Sequence, residues 1–314
     1  MNRRSAVRTL VAGAGSLFGR NAFAAPAQDE ADNIIHSESR LVVLDVSVKT
    51  RDGNFVSGLS QENFSVFEND RPQRIAVFDH GDPPVTVGLL VDESRSMTRK
   101  RPDVIIAAMA FVVESNRKDE IFVLNFNDEV TPGLPSPVLF SDDVQELRRA
   151  LFRGVSQGRT ALNDAVVAGL TQLKQGSRDK KALVLISDGG DNASTHTRRE
   201  MLDLVEASTA TVYTIGLFDA DDPDRDPGLL KQIARISGGE AYFPSSLEEM
   251  VPACRRIARD IRARYTVGYV PAAGNRPNDI RNIRVGASRQ DHARLITRTR
   301  SSYRYDPIDN HRSK

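Results

Sequence analysis

Between Pro83 and about Tyr265, short apolar runs alternate with amphipathic stretches of helical period. Strands that are buried on both faces appear in a sequence as nearly unbroken apolar runs, and parallel strands need crossover helices between them. We therefore predict an α/β domain with a doubly wound, mainly parallel sheet. The predicted strands are Val85–Val91, Ile121–Phe126, Ala182–Ser187, Thr211–Leu217 and Ala241–Phe243.

Capping residues indicate where the helices of this domain begin. Pro102 has the placement of a proline in the first turn of a helix. Thr197 with Glu200, and Ser246 with Glu249, have the spacing of capping boxes, in which each residue bonds the backbone of the other. These signals predict helices between the strands, on both faces of the sheet.

The segments on either side of this domain have the shorter alternating runs and turn residues that are typical of antiparallel strands. A lone hairpin is marginally stable in water. We therefore predict that both flanks pair into one small all-β sandwich; the alternative is two independent hairpins packed on the α/β domain. The predicted flank strands are Leu41–Val48, Phe64–Phe67, Ile75–Phe78, Tyr265–Val270, Ile280–Val285 and Ala293–Thr297.

The chain begins with a basic segment, a modest apolar stretch and a small-residue cleavage site at Ala22–Ala24. This layout is typical of an export signal, although a disordered amphipathic N-terminus is the alternative. We predict export to the periplasm or out of the cell, with no integral membrane segment after signal removal. The predicted organisation is an export signal (1–24), a linker (25–37), an N-terminal β region (38–82), the α/β domain (83–264), a C-terminal β region (265–304) and a tail (305–314).

Charge and cysteine content exclude two classes of protein. The formal net charge is +1, and loss of the four arginines in residues 1–24 would leave −3. Nucleic-acid-binding domains are usually clearly basic, so we predict no nucleic-acid partner. Cys254 is the only cysteine, which excludes an intrachain disulfide and with it a disulfide-stapled scaffold.

Three short motifs place oxygen-bearing side chains at ends of strands and at the start of a helix. Asp92, Ser94 and Ser96 follow the first predicted strand, Thr160 precedes a helix, and Asp188 follows the third predicted strand. Ligands of doubly wound folds bind outside the carboxyl ends of the strands, so these side chains are expected to meet there. Hydroxyl and carboxylate oxygens are hard ligands, which suit Mg²⁺, Mn²⁺ or Ca²⁺.

The order of these motifs resembles the metal-ion-dependent adhesion site of von Willebrand factor type A (VWA) domains, which have a Rossmann-like α/β fold. The resemblance implies direct ligation through the hydroxyls of Ser94, Ser96 and Thr160, with Asp92 and Asp188 acting partly through water. It also implies that a Glu or Asp carboxylate of a protein partner completes the metal's coordination. The flanking motifs resemble those of secreted bacterial VWA proteins, in Gly58-Leu59, Glu62-Asn63-Phe64-x-Val66-x-Glu68 and Tyr265-x-Val267-Gly268-Tyr269.

We therefore predict a protein-binding, adhesion-type module that is not an enzyme and that depends on Mg²⁺, or on Mn²⁺ or Ca²⁺ in its place. Glu93 and Arg95 occupy the variable positions of the first motif and are predicted to contact the partner. Two functional alternatives remain open, a metal-dependent hydrolase and a scaffold in which the metal only stabilises the fold. The hydroxyls could also serve only to cap turns and helices.

Overall fold

The computed structural model describes residues 41–218, 225–272, 279–289 and 295–305. The predicted export signal and linker lie outside the described residues, as do all but the first residue of the predicted tail and the start of the strand predicted at Ala293. Within the described ranges, no helix has the length and apolar character needed to cross a membrane.

Strands and helices alternate through the middle of the chain, and strands dominate both flanks. In chain order, the strands are β1 (Val42–Lys49), β2 (Phe64–Glu68), β3 (Arg71–Gln73), β4 (Ile75–Asp79), β5 (Val85–Asp92), β6 (Glu120–Phe126), β7 (Val130–Pro132), β8 (Lys180–Ser187), β9 (Thr211–Gly216), β10 (Ala241–Tyr242), β11 (Tyr265–Tyr269), β12 (Asp279–Ala287), β13 (Ile296–Arg298) and β14 (Ser302–Tyr305). The α-helices are α1 (Arg101–Glu114), α2 (Val144–Phe152), α3 (Leu162–Leu173), α4 (Arg198–Ala207), α5 (Pro227–Ser237) and α6 (Leu247–Arg262). Gln61–Asn63 and Arg95–Met97 are short 3-10 helices.

The central sheet has the strand order β10-β9-β8-β5-β6-β7. All of its neighbouring strands are parallel except β7, which pairs antiparallel with β6. Helix α1 packs against α2 and α6, and α4 packs against α3 and α5, so helices form two layers. All eight residues of β5 are buried, because both faces of the sheet are covered. The predicted doubly wound α/β fold is confirmed.

Two elements of the central domain were not predicted. Helix α2 is short, and it buries only Leu147, Ala150 and Leu151 among charged neighbours. Strand β7 has three residues at a sheet edge, where no continuous apolar run is needed. The capping box at Thr197 and Glu200 forms as predicted. At α6 the predicted box does not form, because the carboxylate of Glu249 bonds Ser245 instead of the N-cap Ser246.

The two flanks form two antiparallel sheets, in the orders β13-β1-β11-β4 and β14-β12-β2-β3. Each sheet contains strands from both flanks: β1 pairs with β11, and β2 pairs with β12. The buried residues of both sheets form one core, which includes Leu44, Val66, Val267 and Val285. The prediction of a single all-β region built from both flanks is therefore confirmed.

A buried charged network joins this β region to the central domain. Arg264 donates to Asp260 at 3.0 Å, and both side chains are almost fully buried. Asp260 also accepts hydrogen bonds from the hydroxyls of Tyr213 in β9 and Ser47 in β1. Lys49, also in β1, forms an ion pair with Glu240 just before β10. Since β1 belongs to the flank and the other elements to the central domain, this network holds the two regions together.

Candidate metal centre

The first and third motifs lie side by side because their strands are neighbours. Strand β5 ends at Asp92 and strand β8 ends at Ser187, and the two strands pair in parallel. After β5 the chain adds β6 on one side, and it later returns to add β8 on the other. The motifs therefore lie at the point where the strand order reverses, which is the usual ligand-binding position of doubly wound folds.

The first motif folds back on itself in a tight loop. Asp92 Oδ1 accepts a hydrogen bond of 2.8 Å from the backbone N–H of Ser94. The hydroxyl oxygens of Ser94 and Ser96 lie 3.0 Å apart. Ser94 is the N-cap residue of the 3-10 helix Arg95–Met97, but its side chain makes no capping bond. Its hydroxyl is thus turned towards the other motif residues instead of serving as a cap.

The third motif meets the first through a direct side-chain contact. Ser96 Oγ donates to Asp188 Oδ2 at 2.5 Å, although the two residues are 92 positions apart in the chain. Asp188 is buried, and the backbone after it turns sharply at Gly189, where φ is +86°. Only glycine adopts this conformation without strain, so the Asp-Gly pair has a clear structural reason.

Thr160 is held beside the third motif by its backbone. Its N–H donates to Asn192 Oδ1 at 2.9 Å, and its carbonyl accepts from the N–H groups of Asn192 and Ala193 at 2.9 and 3.0 Å. The carbonyl of Gly158 accepts from Arg95 N–H, which keeps the same loop next to the first motif. Asn192, which the sequence analysis did not single out, thus fixes the backbone of Thr160 on both sides of the residue.

The two buried carboxylates of this site disfavour each other's negative charge. Burial, and secondarily the negative charge of Asp188, raise the pKa of Asp92 from 3.8 to about 7, although hydrogen bonds from Ser187 and Ser94 act in the opposite direction. Ser187 is a second residue that sequence analysis missed: its hydroxyl donates to Asp92 Oδ2 at 2.5 Å. A divalent cation would relieve the repulsion between the two carboxylates, so the donor set fits such an ion.

The donor set consists of two buried carboxylates and three hydroxyls, from Asp92, Asp188, Ser94, Ser96 and Thr160. Within the residues that the structure describes, no group of three or more His, Cys, Asp and Glu side chains is placed to hold a metal ion. The hydroxyls and carboxylates of this donor set are hard ligands, which suit ions such as Mg²⁺.

The two residues predicted to contact a partner lie in different environments. Arg95 is exposed, which is compatible with that role. The Glu93 side chain is only 1% exposed and forms an ion pair with Arg101, so the prediction that Glu93 contacts a partner is wrong. The physical reason is that the loop turns after Asp92 and directs the Glu93 carboxylate into the protein, where Arg101 offers the charge that it needs.

Sequence comparison places the central domain in a known family. The sequence model of the von Willebrand factor type A domain matches residues 87–253, just over half of the chain. The chain belongs to the VWA domain family. VWA domains generally mediate protein–protein interactions and are typically not enzymes. No curated protein sequence matches the chain.

Two solved structures share the fold of this chain. A von Willebrand factor type A protein from Catenulispora acidiphila superimposes with a TM-score of 0.51 at 13% identity, over 87% of this chain and 76% of that one. Proximal thread matrix protein 1 from the mussel byssus superimposes with a TM-score of 0.50 at 13% identity, over 62% of this chain and 51% of that one. The match to the bacterial protein is long enough to include more than the VWA domain of this chain.

Proposed function

We propose that this VWA protein is an exported binding module that recognises a protein partner through a divalent cation, with Mg²⁺ as the expected ion and Mn²⁺ or Ca²⁺ as substitutes. The ligands in this proposal are the two carboxylates and three hydroxyls of the metal centre, namely Asp92, Ser94, Ser96, Thr160 and Asp188. The partner contributes a Glu or Asp carboxylate.

One observation carries the proposal. Ser96 bonds Asp188 directly, and the charge of Asp188 contributes to the raised pKa of Asp92. Two buried carboxylates from distant parts of the chain and the hydroxyl of the exposed Ser96 therefore lie close together. Like charges in a buried site are costly unless a counter-charge is present, so this arrangement favours a cation.

The protein's own residues would leave such a cation incompletely neutralised. The five side chains carry at most two negative charges, and three of them are neutral hydroxyls. When bound, the cation supplies a positive charge with coordination positions that an incoming carboxylate can fill. Arg95 is exposed in the same loop and can contribute a second favourable contact with an acidic partner.

A paramagnetic probe tests the carboxylate step without a known partner. Mn²⁺ bound to the chelator-treated protein should enhance the relaxation of water protons. We expect a blocked Gly-Glu-Gly peptide to displace water and reduce this enhancement, and the matched Gly-Gln-Gly peptide to leave it unchanged. Equal effects of the two peptides, or no effect of either, would contradict recognition of a carboxylate.

A pull-down experiment tests the proposed dependence on the site itself. We expect partners from the protein's native host to be retained by the wild type in Mg²⁺ and lost in chelator. The Asp92→Ala variant should retain none in either condition, while Thr98→Ala, a change in the same loop outside the ligand set, should behave as the wild type. Partner retention that persists in chelator would rule the mechanism out.

A further inference from the structure

Glu93 lies between two proposed ligands in the chain, yet its charged side chain is buried. Its Oε2 atom accepts hydrogen bonds from Arg101 Nε at 2.7 Å and from Ser156 Oγ at 2.9 Å. Its Oε1 atom has no hydrogen-bond partner within the described residues. Burying a carboxylate costs desolvation free energy even when the group is paired, and solubility alone would favour an exposed glutamate in this loop.

The guanidinium of Arg101 extends this contact to the end of α2 and to the loop that follows it. Its Nη2 atom donates to the carbonyl oxygens of Gly154 at 2.6 Å, Phe152 at 3.2 Å and Leu151 at 3.3 Å. One side chain therefore connects Glu93 to three backbone carbonyls, two in the last turn of α2 and one in the loop that carries Thr160.

Backbone contacts join the same two segments at two further points. Gln157 N–H donates to the carbonyl of Glu93 at 2.8 Å, and Arg95 N–H donates to the carbonyl of Gly158 at 3.3 Å. Gly154 packs directly on the Glu93 side chain, because a Cβ atom at this position would lie 2.0 Å from Oε1. The loop reaches Thr160 only two residues after Gly158.

We propose that Glu93 is a positioning residue of the metal centre: together with Arg101 and Ser156 it sets where Thr160 lies relative to Ser94 and Ser96. We call Glu93, Arg101 and Ser156 the Glu93 brace. This inference rests on the proposed function, since positioning matters only if the ligands share a cation.

The chemistry of the ligands explains why such a brace is useful. A neutral hydroxyl attracts a cation less strongly than a carboxylate, so a hydroxyl ligand contributes most when its position is already fixed. Residues that hold ligands in place typically change metal affinity by about 10- to 100-fold when they are removed. The Glu93 brace fixes Thr160 from the side of the first motif, while Asn192 fixes it from the side of the third.

Titration calorimetry with Mg²⁺ tests the brace in the chelator-treated full chain. We expect Glu93→Gln to raise the Kd for Mg²⁺ by about tenfold, because the ion pair with Arg101 is lost. Glu120→Gln is the matched control. Like Glu93, Glu120 accepts a hydrogen bond from a hydroxyl, that of Thr86 at 2.8 Å, and pairs with an arginine, Arg178 at 3.7 Å. Glu120 is the first residue of β6, whereas the candidate metal centre lies at the carboxyl ends of the strands. Its loss should leave the Kd for Mg²⁺ unchanged.

Urea unfolding without metal, run on the same variants, separates positioning from general stability. A purely structural role would lower the free energy of unfolding of Glu93→Gln and leave its Kd for Mg²⁺ at the wild-type value, which would overturn the inference. If Glu93→Gln does not fold, Ser156→Ala serves as the second variant, since it removes one bond of the brace and keeps the ion pair. An unchanged Kd in Ser156→Ala would then overturn the inference.

A double-mutant cycle tests the route through Thr160. In the Thr160→Ala background, Glu93→Gln should change the Kd for Mg²⁺ by less than about twofold, because the ligand that the brace positions is already gone. A full tenfold effect in both backgrounds would overturn the inference while leaving the proposed function intact. Absence of Mg²⁺ binding by the wild type would instead overturn the proposed function, and the inference with it.

Discussion

Ser96 and Asp188 are joined by a hydrogen bond of 2.5 Å between Oγ and Oδ2, across 92 positions of the chain. The bond forms because β5 and β8 are parallel neighbours whose carboxyl ends meet at one edge of the sheet. It connects the loops that carry both buried carboxylates of the site. The fold therefore brings residues of the candidate metal centre together from separate parts of the chain.

We expect Ser96→Ala to weaken Mg²⁺ binding by at least about tenfold, since it removes one proposed ligand and the bond to Asp188. The change in the free energy of unfolding without metal should stay near 1 kcal/mol, because Ser96 is exposed. Titration calorimetry and urea unfolding measure the two quantities. The control is Thr98→Ala, whose hydroxyl donates to the Arg95 carbonyl at 2.8 Å. Equal Mg²⁺ affinities of the two variants would count against Ser96 as a ligand.

Ser187 should stabilise the folded protein through its bond to Asp92. The serine is fully buried, and its hydroxyl also accepts from Gly189 N–H at 3.0 Å. Ser187→Ala removes the hydroxyl that bonds the Asp92 carboxylate and the Gly189 N–H. We therefore expect a loss of about 1–3 kcal/mol in the free energy of unfolding. Urea unfolding checks this value. A variant as stable as the wild type would show that these bonds make no net contribution.

Asp260 is expected to make stability depend on pH in the acid range. Burial alone would raise its pKa, but the charges of Arg264 and Lys49 and the hydroxyls of Ser47 and Tyr213 outweigh burial and bring the pKa to about 2, below the ordinary 3.8. The Asp260 carboxylate thus binds a proton less readily in the folded state than in the unfolded state. The resulting stabilisation, roughly 2 kcal/mol, is present above about pH 4 and is lost as the pH falls towards 2.

Unfolding by urea at pH 6, 4 and 3 measures this effect. Asp260→Asn removes the titrating group, so its difference in stability from the wild type should shrink as the pH falls. Asp70→Asn, at an exposed position, is the control and should follow the wild type at every pH. If the difference in free energy of unfolding between the wild type and Asp260→Asn stays constant down to pH 3, the role assigned to this carboxylate is contradicted.

Gly88 in β5 should not tolerate a larger residue. A Cβ atom there would lie 2.3 Å from Phe122 Cζ and 2.6 Å from Leu183 Cδ2, both in the buried core. We expect Gly88→Ala to lower the free energy of unfolding by about 1–3 kcal/mol through overpacking. A Cβ atom at Gly81 would lie 3.7 Å from Asp79 Oδ2, which is ordinary contact, so Gly81→Ala should change the free energy of unfolding by less than about 0.5 kcal/mol. Thermal unfolding of both variants compares them directly.

The sequence predicts the central strands well because their signal is local. The residues of β5 and β8 form apolar runs that end in Asp92 and Ser187, and the order of the motifs then places these residues at one edge. The joint β region was predicted from the instability of lone hairpins. Its register could not be predicted, since Leu44 of β1 lies opposite Val267 of β11, far away in sequence.

Burial of a loop residue cannot be predicted from its position in a motif. Glu93 and Arg95 are both charged and both stand at variable positions, yet only Arg95 is exposed. The difference arises from Arg101 and from the space left by Gly154, which become neighbours of Glu93 only in the folded chain. Asn192 was missed for the same reason: its bonds to Thr160 span 32 positions.

Mg²⁺ binding by Asp92→Asn, measured by calorimetry against the wild type after chelator treatment, tests the central claim most directly. Asparagine keeps the shape of the side chain, removes its charge and replaces one acceptor oxygen by an NH2 group, and Asp70→Asn is the matched control at an exposed position. The account predicts one Mg²⁺ per chain for the wild type and for Asp70→Asn, and no measurable binding for Asp92→Asn. Equal binding by all three proteins, or none by the wild type, would contradict it.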